Sequence, residues 1–158
     1  MREEKTNVMR LLDQRKVPYT PHHYAHPGGA VDGVSVAALI GRDPAAVCKT
    51  LVTQGGSKQY YVFVIPVQRE LDLKAAARAA GEKSIAMLPQ ARLLSLTGYV
   101  HGGCSPLGMK KQFPTVLDES VESLDAIVVS AGRIGAQVEL SPAALCALVG
   151  GSFAPVAK

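Results

Sequence analysis

The stretch HGGCSPLGMKK, residues 101–111, combines residue types that do chemistry or bind anions. It holds two adjacent glycines, a cysteine three residues after a histidine, and two lysines. Such glycines serve turns that require positive φ, or they leave backbone N–H groups open to an anion or a carbonyl oxygen. Either the lysines are ordinary solvated charges on the surface, or they form the basic rim of a pocket and contact a phosphate backbone. The stretch alone leaves these interpretations open.

Cys104 is a candidate nucleophile, because His101 precedes it by three residues. No orienting acid or second base surrounds this pair, and a buried, inert thiol is the more usual state of a cysteine. The histidines His22, His23 and His26 likewise lack nearby cysteine or carboxylate ligands for zinc. The sequence therefore gives little support to a protein nucleophile and indicates no metal or cofactor.

Lys49 is the most informative single position. In a strand VCKTLV, residues 47–52, its side chain shares a face with the apolar Val47 and Leu51. One interpretation is an edge strand from which the ammonium reaches water along its aliphatic stem. The other is an ammonium held at a pocket mouth, where it binds a phosphate or a carboxylate.

A second glycine-containing break, VVSAGRIGAQVEL at residues 128–140, has the same organisation as the first. An apolar strand gives way to small residues and glycines, with one arginine, Arg133. If both breaks meet at one rim of the sheet, Ser130 faces the same cavity as Gly102 and Gly103. A plain hairpin turn is the alternative, and it is the commoner origin of such a pattern.

Short helices and strands are predicted around these positions. Helices are expected from a cap at Thr6 or Asn7 to a stop at Pro18, from a cap at Ser35 to Gly41, from Asp43–Pro44, after Asp72, from Pro89 and after Ser141. Strands are expected as a hairpin of residues 47–53 and 59–67, and at 84–88, 113–118, 125–132 and 136–140. The prolines of VPYTPHHYAH, residues 17–26, confine that segment to an edge strand or an extended loop.

Composition predicts one domain over residues 1–158, since 47% of the residues are hydrophobic, 19% are charged and no linker or repeat is evident. We expect an α+β fold with a mixed, mostly antiparallel, barrel-like sheet and helices outside it. No apolar run approaches the roughly 20 residues that span a bilayer. Three cysteines without CxxC spacing fit a reducing cytosol, and a net charge of +4 favours a polyanionic partner such as nucleic acid.

Five collinear segments resemble the YbaK/EbsC family of aminoacyl-tRNA deacylases, free-standing relatives of the editing domain inserted in bacterial prolyl-tRNA synthetases. They cover nearly the whole chain. The segments are VPYTPHHYAH, VCKTLV, LDLKAAARAAG, TGYVHGGCSPLGMKKQFPTVLDES and VVSAGRIGAQVEL. The resemblance implies a cytoplasmic enzyme that hydrolyses mischarged tRNA(Pro), most typically Cys-tRNA(Pro), without a cofactor.

The resemblance also implies the roles of individual residues. Lys49 is expected to anchor the 3′ end of the tRNA, and Gly102 and Gly103 to line the aminoacyl pocket. In the cysteine-specific members the substrate's own thiol attacks its ester carbonyl and forms a cyclic thiolactone, so no protein nucleophile is needed. The positions expected to bind substrate are Tyr24, Thr50, Ser130, Arg133 and Gln137.

Two departures from the family pattern leave the substrate open. Gln137 stands where the family has an aspartate, and the loop before the second helix offers only Ala30 and Val31 in place of an aromatic residue. The alternatives are deacylation of another small amino acid such as alanine, a non-catalytic module that binds tRNA ends or a synthetase, and a small-molecule esterase that uses Cys104. The expected partners are the tRNA(Pro) acceptor end and, as a second candidate, prolyl-tRNA synthetase; a monomer and a homodimer both fit.

Overall fold

A computed structural model of the chain describes residues 4–158, and this part forms five α-helices and eight β-strands. The helices are α1 (Asn7–Gln14), α2 (Gly33–Ile40), α3 (Leu73–Ala80), α4 (Leu93–Thr97) and α5 (Pro142–Val149). The strands are β1 (Thr20–His23), β2 (Cys48–Gly55), β3 (Tyr60–Pro66), β4 (Ile85–Met87), β5 (Thr115–Asp118), β6 (Ile127–Arg133), β7 (Ala136–Leu140) and β8 (Ser152–Ala154). None of the helices in residues 4–158 has the length and apolar character needed to cross a membrane.

The ends of α2 differ in part from the prediction. Gly41 ends the helix in the left-handed conformation as expected, but the N-cap is Asp32 rather than Ser35. The Asp32 carboxylate accepts from the Ser35 backbone N–H at 3.1 Å, so Ser35 lies inside the first turn. The helix predicted from Asp43–Pro44 is wrong, because these residues form only a turn in which Ala45 N donates to Asp43 Oδ1.

Five strands form one mixed sheet in the order β4-β2-β3-β5-β8. The predicted hairpin of β2 and β3 is confirmed, and it places Lys49 opposite Ile65. Strand β3 is central, and its side chains are buried on both faces. Val62 and Val64 join the main core that α1 and α5 also cover, whereas Phe63 and Ile65 pack in a second cluster with α3.

The other three strands form an antiparallel sheet in the order β1-β7-β6. Strand β1 lies at its edge, as its proline content requires. The two sheets are joined at one parallel bridge, between Val47 and Val128. The α+β class is confirmed, but the two sheets do not close into a barrel, because pairing does not continue past this bridge and a cleft opens beside it.

Asp118, at the end of β5, fastens the C-terminal segment to the sheet. Its side chain is 2% exposed and accepts hydrogen bonds from the backbone N–H groups of Val156 and Ala157, each at 3.0 Å. Arg69 Nη1 lies 3.1 Å from Asp118 Oδ2. Burial raises the pKa of Asp118, but hydrogen bonds from Ser120, Val156 and Ala157 lower it more, so the pKa lies below its ordinary value.

We expect Asp118→Ala to lower the free energy of unfolding by about 3–5 kcal/mol at neutral pH, since it leaves buried donors and a cation without their acceptor. The native pKa is the lower one, so the stabilisation is present above the unfolded pKa near 3.9 and is lost as the pH falls through the native pKa. Urea unfolding at pH 7 and at decreasing pH measures both effects. Asp125→Ala, at an exposed position, is the control; equal losses in the two variants would contradict the assignment.

Candidate active site

A cleft of about 320 Å³ opens beside the bridge that joins the two sheets. This volume is at the lower end of the range for small-ligand sites. Of the eight predicted site residues, six line the cleft, and we call it the inner cleft. These six are Tyr24, Lys49, Thr50, Gly102, Ser130 and Gln137.

Lys49 is the only lysine or arginine among the described residues that line the inner cleft. Its side chain is partly buried, and within residues 4–158 it forms no hydrogen bond or ion pair. Burial lowers the pKa of Lys49, and the negative charge of Glu70 opposes this effect. An ammonium without a protein partner at a cleft is suited to bind an anionic ligand group.

Three polar side chains from three strands line the inner cleft with Lys49. The Thr50 hydroxyl is buried and has no hydrogen-bond partner among the described residues. The Ser130 hydroxyl accepts from Gly132 N at 3.2 Å. Gln137 is 6% exposed, and its amide group hydrogen bonds to no described residue. The inner cleft therefore has unused hydrogen-bonding capacity, which a polar ligand can satisfy.

The two glycine-containing breaks meet, which is one of the two interpretations left open by the sequence; the second break is also the turn between β6 and β7, which is the other. Gly102 has φ of +87°, and a Cβ at this position would lie 2.7 Å from Ala30 Cβ. Gly103 does not line the inner cleft; a Cβ there would lie 2.9 Å from Ile134 N, and its own N–H donates to Val100 O at 3.0 Å. Gly102 thus lets the loop of residues 27–32 close over the cleft, while Gly103 lets the two breaks pack together.

Two thiols line the inner cleft, and both are protonated at neutral pH. Burial raises the pKa of Cys48 to about 12 and the pKa of Cys104 to about 12. His101 also lines the cleft, but within the described chain it forms no hydrogen bond with Cys104. Neither thiol has the lowered pKa that a cysteine nucleophile requires.

The histidine segment is divided between two environments. His22 Nε2 lies 2.7 Å from Glu139 Oε1, and the same carboxylate oxygen accepts from Arg42 Nε at 3.0 Å. His23 Nε2 is buried without a partner in the described structure. Among residues 4–158 no three histidine, cysteine, aspartate or glutamate side chains lie close enough to hold a metal ion.

Asp32 is a lining residue that the sequence analysis missed. It is the only carboxylate among the described residues of the inner cleft, and hydrogen bonds from Ser35 lower its pKa. Assigning the helix cap to Ser35 concealed it, although its position one residue before an apolar helix is a capping signal. The apolar lining residues Val31, Val36, Val67 and Leu93 were missed as well.

Arg133 lies on a second, wider cleft that shares Tyr24 with the inner one. The guanidinium is exposed, and its Nη2 donates to Glu4 O at 3.3 Å. The structure therefore separates Arg133 from Lys49 and brings each to its own cleft.

The conserved-sequence profile of the aminoacyl-tRNA editing domain matches residues 29–148, which include all but one of the six predicted residues in the inner cleft. This chain belongs to that family. The family predicted from the five segments is thereby confirmed.

Two relatives differ in how much of their length this chain covers. A protein of Enterococcus faecalis named "Putative Cys-tRNA(Pro)/Cys-tRNA(Cys) deacylase EbsC" is 46% identical over 154 residues, which are 98% of this chain and 94% of EbsC. The proline–tRNA ligase of Trichlorobacter lovleyi is 28% identical over 98 residues, covering 62% of this chain and 17% of the ligase.

Solved structures share the fold of the editing domain. The structure of the hypothetical protein APE2540 superposes with a TM-score of 0.86 at 24% identity, over 96% of this chain and 99% of that one. A "putative trans-editing enzyme for prolyl tRNA synthetase" superposes with a TM-score of 0.82 at 22% identity, over 99% of both chains. This chain therefore shares its overall fold with both solved structures.

Proposed function

We propose that this chain removes cysteine from mischarged tRNA(Pro) by hydrolysing the aminoacyl ester in the inner cleft. Membership of the editing family and the 46% identity to EbsC make the chain an aminoacyl-tRNA deacylase, with tRNA as its substrate. The cysteine assignment is supported by the groups that line the inner cleft. The Lys49 ammonium makes no hydrogen bond or ion pair, both thiols are protonated, and none of the described residues is an activated nucleophile. Prolyl-tRNA synthetase is the proposed source of the mischarged tRNA.

The thiol of the esterified cysteine itself supplies the nucleophile in this proposal. The cysteine sulfur attacks its own ester carbonyl carbon, the bond from that carbon to the ribose oxygen breaks, and the thiol proton ends on the ribose oxygen. Water then opens the cyclic thioester and yields free cysteine. The thiol is already close to the carbonyl, so the cleft needs chiefly to hold the aminoacyl group folded and to stabilise the developing negative charge.

Backbone amides beside the cleft can stabilise this charge. Gly102 and Cys104 both line the inner cleft, and their N–H groups donate to no acceptor in residues 4–158. The N–H of Gly103 is already committed to Val100 O. We therefore assign the carbonyl oxygen to the amides of Gly102 and Cys104, and a phosphate of the tRNA end to Lys49.

Asp32 is the proposed partner of the substrate's α-ammonium. Its carboxylate accepts from Ser35 Oγ at 2.7 Å and from Ser35 N at 3.1 Å, which leaves lone pairs for another donor. The hydrogen bonds from Ser35 lower the pKa of Asp32, so the carboxylate is charged at neutral pH. Lys49 and Asp32 then bind opposite charges of one ligand, a pattern suited to an aminoacylated nucleotide.

We expect Asp32→Asn to raise the KM for Cys-tRNA(Pro) about tenfold, because a neutral amide replaces a charged acceptor. Asparagine caps helices as well as aspartate does, so α2 should be preserved. The matched substrate is N-acetylcysteinyl-tRNA(Pro), which lacks the ammonium; wild type and variant should hydrolyse it at equal rates. A similar loss on both substrates would contradict the ion pair.

The function is tested with four esters of the same tRNA(Pro): cysteinyl, S-methylcysteinyl, alanyl and prolyl. We expect hydrolysis of the cysteinyl ester well above the uncatalysed rate and little or none of the other three. Hydrolysis of the S-methyl ester at the cysteinyl rate would exclude the substrate-thiol mechanism. Faster removal of alanine would establish the alternative substrate, and binding without turnover of any ester would establish a binding module.

A further inference from the structure

The second cleft, which we call the outer cleft, has a volume of about 1210 Å³ and is more open to solvent than the inner cleft. Residues 23–26, 98–100 and 132–136 line it, together with Glu4. Tyr24 lines both clefts, so a ligand that leaves the inner cleft past this side chain enters the outer one. Arg133, one of the positions expected to bind substrate, lines the outer cleft and not the inner one.

Positive charge and exposed ring surface lie together in the outer cleft. Arg133 is its only lysine or arginine among the described residues, and the one hydrogen bond that it makes within residues 4–158 leaves further N–H groups of the guanidinium available. The stem of Lys110 packs beside the lining residue Gly98, at 3.4 Å from a Cβ placed there. Glu4 is the one carboxylate among the described residues of the lining, and its backbone oxygen accepts a hydrogen bond from Arg133.

The ring of His26 is placed for stacking. It lies against Gly135, where a Cβ would be only 2.4 Å from His26 Cδ2, and its centroid is 6.3 Å from that of Tyr24 in an edge-to-face arrangement. His26 is exposed and lines the outer cleft, so its ring is accessible to a ligand there. An accessible ring and a cationic side chain in one groove are features by which proteins bind single-stranded nucleic acid.

We propose that the outer cleft binds the single-stranded ribonucleotide that precedes the esterified adenosine, with Arg133 on its phosphate and its base against His26. This inference rests on the proposed function, because an aminoacyl ester in the inner cleft is attached to a polynucleotide that extends out of it, and the outer cleft adjoins the inner one at Tyr24. The phosphate of this preceding nucleotide is the next one along the chain after the phosphate assigned to Lys49. The outer cleft thereby distinguishes an aminoacylated RNA end from a free amino acid ester.

The test compares Cys-tRNA(Pro) with 3′-O-cysteinyladenosine, which lacks the preceding nucleotide and so has no group to place in the outer cleft. Arg133→Ala should raise the KM for Cys-tRNA(Pro) about tenfold and leave the cysteinyladenosine rate unchanged. The slope of log affinity against log salt should fall by about 0.7, the value for one phosphate on a single strand. Arg78→Ala, an exposed arginine on α3 outside both clefts, is the matched control and should change neither substrate.

Equal losses on both substrates in Arg133→Ala would overturn the proposal, as would a wild type that hydrolyses cysteinyladenosine as efficiently as Cys-tRNA(Pro). Binding of the uncharged trinucleotide cytidylyl-cytidylyl-adenosine is measured separately, without turnover. Weaker binding by Arg133→Ala and His26→Ala supports the outer cleft even if no ester is hydrolysed, in which case only the proposed function fails. Unchanged trinucleotide binding in both variants would refute the outer-cleft assignment by itself.

Discussion

Replacing Lys49 with alanine is expected to lower kcat/KM for Cys-tRNA(Pro) about a hundredfold or more. Its ammonium is the only lysine or arginine charge in the described lining of the inner cleft, and no other described residue can take its place. A hydrogen bond to a charged group contributes up to about 3 kcal/mol, which corresponds to this factor. Single-turnover deacylation of labelled Cys-tRNA(Pro) measures the loss directly.

Lys49→Met separates the charge from the aliphatic stem, because methionine retains most of the stem without the ammonium. It should be as inactive as the alanine variant. Lys74→Ala, at an exposed position on α3, and Cys104→Ala, which removes a protonated thiol, should both retain most of the activity. Full activity in Lys49→Met would show that packing is what matters, and loss of activity in a folded Cys104→Ala would point to a protein nucleophile.

Gly102→Ala is expected to abolish most deacylation and to destabilise the fold. The added methyl would lie 2.7 Å from Ala30 Cβ, and overpacking of this kind costs about 1–3 kcal/mol. The φ of +87° adds about 1–2 kcal/mol of backbone strain for a residue with a side chain. Relief of the contact requires the loop of residues 27–32 to move, and Val31 and Asp32 of that loop line the inner cleft.

Two further variants separate the contribution of the contact with Ala30 from the contribution of backbone strain. Gly81 has φ of +73° but no atom within 4 Å of an added Cβ, so Gly81→Ala measures strain alone and should leave activity intact. The double variant Gly102→Ala with Ala30→Gly removes the contact and keeps the strain, so it should recover activity more than stability. Thermal unfolding and deacylation measured on all four proteins test this, and no recovery in the double variant would contradict the role given to the loop.

The sequence predicted local structure well where the deciding residues are neighbours in the chain. Thr6, Asp72 and Ser141 each cap the predicted helix through their own side chains, and the β2–β3 hairpin follows from two apolar runs around one turn. At α2, Asp32 and Ser35 are both capping types three residues apart. Only the folded backbone decides between them, because it places the Ser35 N–H on the Asp32 carboxylate.

Features that depend on distant segments were predicted less well. Strand β8 has three residues and exists through parallel pairing with β5, which its own sequence does not specify. Gly102 and Gly103 are adjacent in sequence, yet they have different neighbours in the fold. Gly102 packs against Ala30, whereas Gly103 packs against the backbone at Ile134. The barrel-like sheet was expected from many apolar strands, but strand composition does not determine whether two sheets continue pairing past Val47 and Val128.

The high pKa of both thiols in the inner cleft has a consequence for chemical durability. Peroxides and alkylating reagents attack thiolates, and Cys48 and Cys104 supply almost none at neutral pH because burial holds each pKa near 12. The proposed reaction draws its only ionisable sulfur from the substrate, which leaves with each turnover. The two thiols that line the cleft are therefore expected to react slowly with peroxides and alkylating reagents at neutral pH.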